Sequence, residues 1–236
     1  MVDADPVSGG PASAVTNNFV LRIISAAVLA PVAVYAAYLG GWPFALFWGL
    51  AAVAVLWEWV SLVAGPVWII AGIGYAGIML LAPLLLRADN TYGFLALVLL
   101  FAIVWTTDIL GYFAGRAIGG RKLLPAISPK KTWSGAIVGT LGAMIVAVLV
   151  ASLFGAFNRT AIAIIALLLS VVAQLGDLFE SWVKRQFGAK DASHLIPGHG
   201  GVMDRLDGFW AAALVGCVIG LLHGGFDGAA RGLLVW

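Results

Sequence analysis

Apolar runs close to twenty residues long recur along this chain, divided by short breaks of glycine, proline and charge. As a helix, a run of about 20 residues at about 1.5 Å per residue crosses the hydrocarbon core of a bilayer. Barrel strands would instead alternate in polarity. Of the 236 residues, 62% are hydrophobic and only 10% charged, far from the roughly 25% charged of a soluble domain. The pattern therefore predicts an all-α, polytopic integral membrane protein of about seven transmembrane helices.

Residues 1–18 are small, polar and mildly acidic, and read as a flexible N-terminal tail, not a cleaved signal. The first span is expected over Phe19–Tyr38, the second over Pro43–Ala64 and the third over Val67–Leu86. A fourth begins near Tyr92 and continues through T-T-D-I-L-G-Y-F-A-G-R to Gly119-Gly120. Thr132–Phe154, Thr160 to about Lys184, and Gly208–Leu222 complete the set. Residues 19–91 form an N-terminal group of membrane helices, and 92–236 a domain that holds most of the ionisable residues. Ten tryptophans suit an interfacial belt, with some left for the core. The single Cys217 sits in an apolar run and reads as packing.

Seven spans put the tail, the loop Arg121–Lys131 and the segment after Lys184 on one side. Arg116, Arg121, Lys122, Lys130, Lys131, Lys184, Arg185, Lys190 and Arg205 gather there, out of thirteen basic residues. By the positive-inside bias this side is cytoplasmic. The net charge of +2 is too small to suggest a nucleic-acid partner.

In a chain so poor in charge, Ser181–Asp207 stands apart: four basic residues, three acids, two histidines and the run Gly198-His199-Gly200-Gly201. On the helix leading into it, Asp177, Ser181 and Lys184 fall at i, i+4 and i+7, on one face, with Gln174 and Glu180 beside it. Ionisable groups at membrane depth point into the bundle or a wet cavity. Asp204 and Asp207 would share a helical face if this stretch starts the seventh helix, and Asp177 with Asp204 could hold Mg²⁺ against a phosphate. The plainer alternatives are an Asp177–Lys184 structural pair and a helix-start preference for Asp207. The glycine run could bring backbone N–H groups of Gly200 and Gly201 to an anion. His199 would then be a donor to phosphate or a proton carrier, or simply a turn histidine. Asp108, Tyr112 and Arg116 recur every four residues toward the same cavity, with Asp108 a third metal carboxylate. Gly111 and Gly115 form a small stripe suited to close helix packing. Ser128, Lys130, Lys131 and Thr132 offer donors to phosphate, although either lysine could serve only as a topology marker. Glu58, between two tryptophans, is a lone acid in a span with no site role assigned. There is no Walker-type P-loop.

These residues resemble the bacterial phosphatidate cytidylyltransferases, or CDP-diacylglycerol synthases. That family's signature runs S-x-φ-K-R, four residues, K-D, then φ-P-x-H-G-G-φ-x-D-R-φ-D, where φ is apolar. It is met by Ser181, Val183, Lys184, Arg185, Lys190, Asp191, Ser193, Ile196, Pro197, His199, Gly200, Gly201, Val202, Asp204, Arg205, Leu206 and Asp207. The likeness extends over about residues 19–64 and 105–210, including S-P-K-K-T-W-S-G at Ser128–Gly135.

The resemblance implies transfer of the cytidylyl group of CTP to phosphatidate, giving CDP-diacylglycerol and pyrophosphate, in a bacterial cytoplasmic (inner) membrane with the site facing the cytoplasm. It implies Mg²⁺, with a second cation left open, held by Asp177 and Asp204 and joined by Asp108. Ser181, Lys184, Arg185, Lys190, Asp191, His199 and Asp207 are implied as catalytic. Arg205, Gly200, Gly201, Ser128, Lys131, Arg116 and Tyr112 are implied as substrate-binding. Homodimers are a further implication. A CTP-dependent lipid kinase and a membrane transporter are the alternatives. The transporter is disfavoured because no repeated halves are found and the polar residues crowd one membrane face.

Overall fold

The computed structural model describes residues 25, 27–155, 157–193, 195–196 and 200–236. The expected tail over 1–18, and the start of the first span, lie outside them. Ala27–Leu39 is helical (α1). Six helices long and apolar enough to cross a membrane follow: α2 Gly41–Leu62, α3 Pro66–Arg87, α4 Gly93–Ala117, α5 Trp133–Phe154, α6 Arg159–Gln186 and α7 Met203–Gly224. A 3-10 turn at Phe226–Gly228 leads to a short α8, Ala229–Leu234.

Between α4 and α5 the chain is not helical. The basic loop forms an antiparallel hairpin, β1 (Lys122–Leu124) with β2 (Ser128–Thr132), pairing Lys122 with Thr132 and Leu124 with Ser128. Thr132 ends β2 and starts α5 by accepting the Gly135 N–H at 3.2 Å, the usual task of a threonine N-cap. Asn158 caps α6 in the same way, through the N–H groups of Thr160 and Ala161.

α5 shows how the bundle holds together. Its buried stripe is Gly135, Gly139, Ala143, Ala147 and Ala151, whereas Ile137, Leu141, Ile145, Leu149 and Leu153 point outward. A water-soluble helix would do the reverse. In a bilayer lipid tails are as apolar as leucine, so helices associate where small residues let backbones approach. A Cβ on Gly135 would lie 2.4 Å from the Gly111 carbonyl oxygen, and one on Gly139 would lie 2.5 Å from that of Thr107. The small stripe read at Gly111 and Gly115 is thus half of the α4–α5 contact. That contact brings Asp108 and Tyr112 beside the hairpin.

Aromatic rings join α2, α4 and α7. Phe209 of α7 stacks between Trp48 of α2 (ring centroids 5.1 Å apart) and Phe101 of α4 (4.9 Å). α6 and α7 approach through Gly176 and Gly208: a Cβ on Gly176 would lie 2.6 Å from the Asp207 carbonyl oxygen. This brings Asp177 alongside the first turns of α7. At 28 residues α6 is the longest helix. About 42 Å of helix overshoots a hydrocarbon core of about 30 Å, so its last turns, from Asp177 to Gln186, can stand clear of the apolar slab.

Candidate active site

Where α4 and α6 end and α5 and α7 begin, the hairpin folds beside them, and together they enclose a cavity of about 720 Å³, with Gly135 and Ala136 of α5 in its wall. α4 contributes Thr107, Asp108, Tyr112 and Arg116. The hairpin contributes Lys122, Lys130 and Lys131, α6 contributes Gln174 and Asp177, and α7 contributes Asp204, Arg205 and Asp207. Four carboxylates and five cationic side chains therefore share one concavity.

Within it, Lys131 and Asp177 form an ion pair that ties the hairpin to α6. The Ser181 hydroxyl donates to the other Asp177 oxygen at 3.4 Å. The expected i, i+4 relation on α6 is thus realised, but Asp177 does not pair with Lys184. The Lys184 ammonium lies behind the cavity wall, 2.9 Å from Glu180 Oε1 and 2.5 Å from Asp204 Oδ1. Glu180 is fully buried, and its second oxygen accepts from the Tyr75 hydroxyl at 3.4 Å. An ammonium enclosed by two carboxylates has its charge matched on the spot. Here it orients Asp204 and lies away from the wall a phosphate would meet.

Asp204 is held from both ends. Its Oδ1 takes Lys184, and its Oδ2 accepts the backbone N–H groups of Ala192 (3.0 Å) and Gly201 (2.8 Å). Gly200 has φ +87°, and a Cβ there would lie 2.9 Å from Asp204 Oδ2. Of the glycine run, the Gly201 N–H meets an anion among the described residues, and that anion is the protein's own Asp204 carboxylate.

The remaining expected residues divide by position. Arg185 reaches the Ala189 carbonyl at 2.9 Å on the exposed side, and Lys190 and Asp191 are exposed beyond the cavity wall. Ser128 pairs in the hairpin and is not part of the cavity lining. His199 lies outside the described residues, as do His194, Pro197 and Gly198. Asp207 lines the cavity with Arg205, and its Oδ1 accepts the Gly208 N–H at 2.7 Å.

Sequence reasoning left three features unassigned. Glu58 is fully buried and bonded to the start of α7; its signal was an acid inside an apolar span. Lys122, on a loop counted only for its charge, lines the cavity. A chain of hydroxyls also runs inward from the cavity wall, where Thr107 and Gln174 line it. Thr107 donates to the Ile103 carbonyl at 2.7 Å, so the Ser170 hydroxyl, 2.7 Å away, donates to Thr107. Thr140 must then donate to Ser170, and the Gln174 amide nitrogen to Thr140 at 2.9 Å. One hydrogen per hydroxyl fixes every direction. The Gln174 nitrogen also meets the Ser170 carbonyl at 3.3 Å, which leaves its oxygen to face other partners.

Among the described residues no three carboxylates, imidazoles or thiols converge at metal-ligand spacing. Mg²⁺ is commonly held by one or two carboxylates, with phosphate oxygens and water completing the shell. Asp177, Asp204, Asp207 and Asp108 along one cavity fit that use.

Residues 65–222 match the cytidylyltransferase family. A phosphatidate cytidylyltransferase of Brucella abortus biovar 1 (strain 9-941) is 42% identical over 246 residues, covering 84% of this chain and 91% of that protein. One from Rickettsia bellii (strain RML369-C) is 39% identical over 202 residues, covering 81% and 86%. One from Rickettsia felis (strain ATCC VR-1525 / URRWXCal2) is 37% identical over 215 residues, covering 87% and 94%. The matched region includes every helix that lines the cavity, and on that basis the chain belongs to the cytidylyltransferase family.

Proposed function

We propose that this protein transfers the cytidylyl group of CTP to phosphatidate, releasing pyrophosphate and leaving CDP-diacylglycerol in the membrane. One observation carries the reading: a cavity lined by five cationic side chains and four aspartates sits at one end of a bundle of apolar helices. A lipid phosphate and a nucleotide triphosphate could meet there.

The reaction needs no strong base, because the phosphatidate phosphate is already a nucleophile. One of its oxygens forms a bond to the α-phosphorus of CTP, the bond from that phosphorus to the β-phosphate bridge breaks, and pyrophosphate leaves with the electron pair. The obstacle is repulsion between two anions. Arg116, Lys122, Lys130, Lys131 and Arg205 offset it and fix the approach. Lys131, paired with Asp177 in this structure, can turn to a phosphate oxygen, and Asp177 is then freed. Asp177 and Asp204, with Asp108 beside them, are the residues that would hold Mg²⁺. The ion, when bound, neutralises phosphate charge and stabilises the leaving oxygen. Lys184 and Ser181 hold these carboxylates in position.

The positive-inside bias supports a cytoplasmic site in a bacterial inner membrane, with CTP arriving from water and the lipid entering from the bilayer. The family likeness supports a homodimer, which cross-linking in membranes would test.

The experiment is pyrophosphate release by the purified protein in detergent with CTP, phosphatidate and Mg²⁺, beside Asp204→Asn. Turnover that needs all three components and collapses in the variant supports the reaction and the role of Asp204. Release of CDP instead of pyrophosphate would mark a lipid kinase, and an absence of turnover by well-folded protein would return the transporter.

A further inference from the structure

α7 begins without a cap of its own. Its N-cap position is Val202, whose side chain cannot accept a hydrogen bond, and no side-chain cap bond is made there. The first N–H groups of a helix need acceptors, above all where water is excluded. The acceptor comes from α2. Glu58 Oε1 takes the Val202 N–H at 2.8 Å, and Oε2 takes the Met203 N–H at 2.7 Å, 144 and 145 residues away in sequence. Glu58 Oε1 also accepts the Ser193 hydroxyl at 2.6 Å. The side chain is fully buried, and a carboxylate there faces the positive end of the α7 dipole.

The neighbouring glycine belongs to the same arrangement. A Cβ on Gly201 would lie 2.7 Å from both Glu58 oxygens. The space at position 201 is filled by the Glu58 carboxylate, which explains why a side chain is not accommodated there.

Two carboxylates thus grip the two limbs of one segment. Asp204 bonds Ala192 on the first limb and Gly201 on the second. Glu58 bonds Ser193 on the first and Val202 and Met203 on the second. Asp204 is the residue immediately after the N–H that Glu58 Oε2 holds.

We propose that Glu58 is a positioning residue: from α2 it fixes the first turn of α7, and with it the Asp204 carboxylate, at the wall of the cavity. The kinetic part of its test rests on the cytidylyl-transfer reading; the structural part does not.

The test compares Glu58→Gln, Gly201→Ala and their combination with wild type, all as full-length protein in detergent. Glutamine keeps the shape but replaces one acceptor by a donor facing an N–H. Gly201→Ala pushes the carboxylate away without altering it. Amide hydrogen exchange is expected to rise most in peptides covering residues 192–206, with a loss of stability of about 1–3 kcal/mol that leaves the protein folded at the assay temperature. Small displacements of reacting groups cost up to about 100-fold, so kcat should fall roughly 10- to 100-fold, with KM for CTP and phosphatidate changed by less than about threefold. The double variant should be no worse than the poorer single one, because both break one contact.

Unchanged exchange over 192–206 would overturn the proposal, as would activity that falls only in step with the folded fraction. If Glu58→Gln does not fold, Gly201→Ala decides by the same two readouts. If wild-type protein releases no pyrophosphate, the reaction reading fails and the exchange data alone decide the role of Glu58.

Discussion

The Lys131 ammonium and the Asp177 carboxylate meet across the cavity, joining the hairpin to the last turns of α6. Each side chain is about a quarter exposed, so the pair is a contact that can be exchanged, and it is not a buried strut. Breaking it should cost stability little, about 0–1 kcal/mol. Its effect should fall on substrate handling. Lys131→Met is expected to melt near wild type while losing roughly 10-fold or more in kcat/KM for CTP, and Lys131→Arg to recover part of that loss. A melting scan beside initial-rate kinetics checks both statements.

Lys184 should behave in the opposite way. It stands between Glu180 and Asp204, all three largely withdrawn from solvent. Removing one partner from a buried ionic cluster leaves charge uncompensated, at about 3–5 kcal/mol. Lys184→Met should therefore lower the melting point markedly, and Lys184→Met with Glu180→Gln should regain much of the loss because one stranded charge is removed. A Lys184→Met variant that melts like wild type would mean that the cluster is not what holds Asp204.

The α4–α5 contact offers a packing test. Gly139→Ala places a methyl group against the Thr107 carbonyl, whereas a Cβ on Gly74 of α3 meets nothing within 4 Å. The first substitution should destabilise by about 1–3 kcal/mol, as overpacking generally does. The second should change the melting point hardly at all. Because the same contact carries Asp108, activity of Gly139→Ala should fall at temperatures where the protein is still folded.

Much of this fold was legible because a bilayer leaves few choices. The second span, read as Pro43–Ala64, is Gly41–Leu62, and the fifth, read as Thr132–Phe154, begins one residue later. Length and apolarity decide those limits. The start of α7 was placed at Gly208, five residues late, because Asp204, Arg205 and Asp207 interrupt the apolar run while belonging to the helix. The hairpin was not legible: R-K-L-L-P-A-I-S-P-K-K has two prolines and no strand-like alternation. Periodicity correctly put Asp177 and Ser181 on one face of α6. It gives no information on which neighbouring element faces them, and so the partners of Asp177, Lys184 and Glu58 emerged only from the packing.

The outward leucines and isoleucines of α5 have a practical corollary. Expulsion of water does little to hold such a helix to its neighbours, and its outer surface is completed by whatever amphiphile surrounds it. Tail length of that amphiphile is therefore the natural coordinate along which the bundle tightens or loosens. A shorter tail would leave Leu153, next to the end of the helix, poorly covered while the Gly135–Gly111 crossing stayed closed.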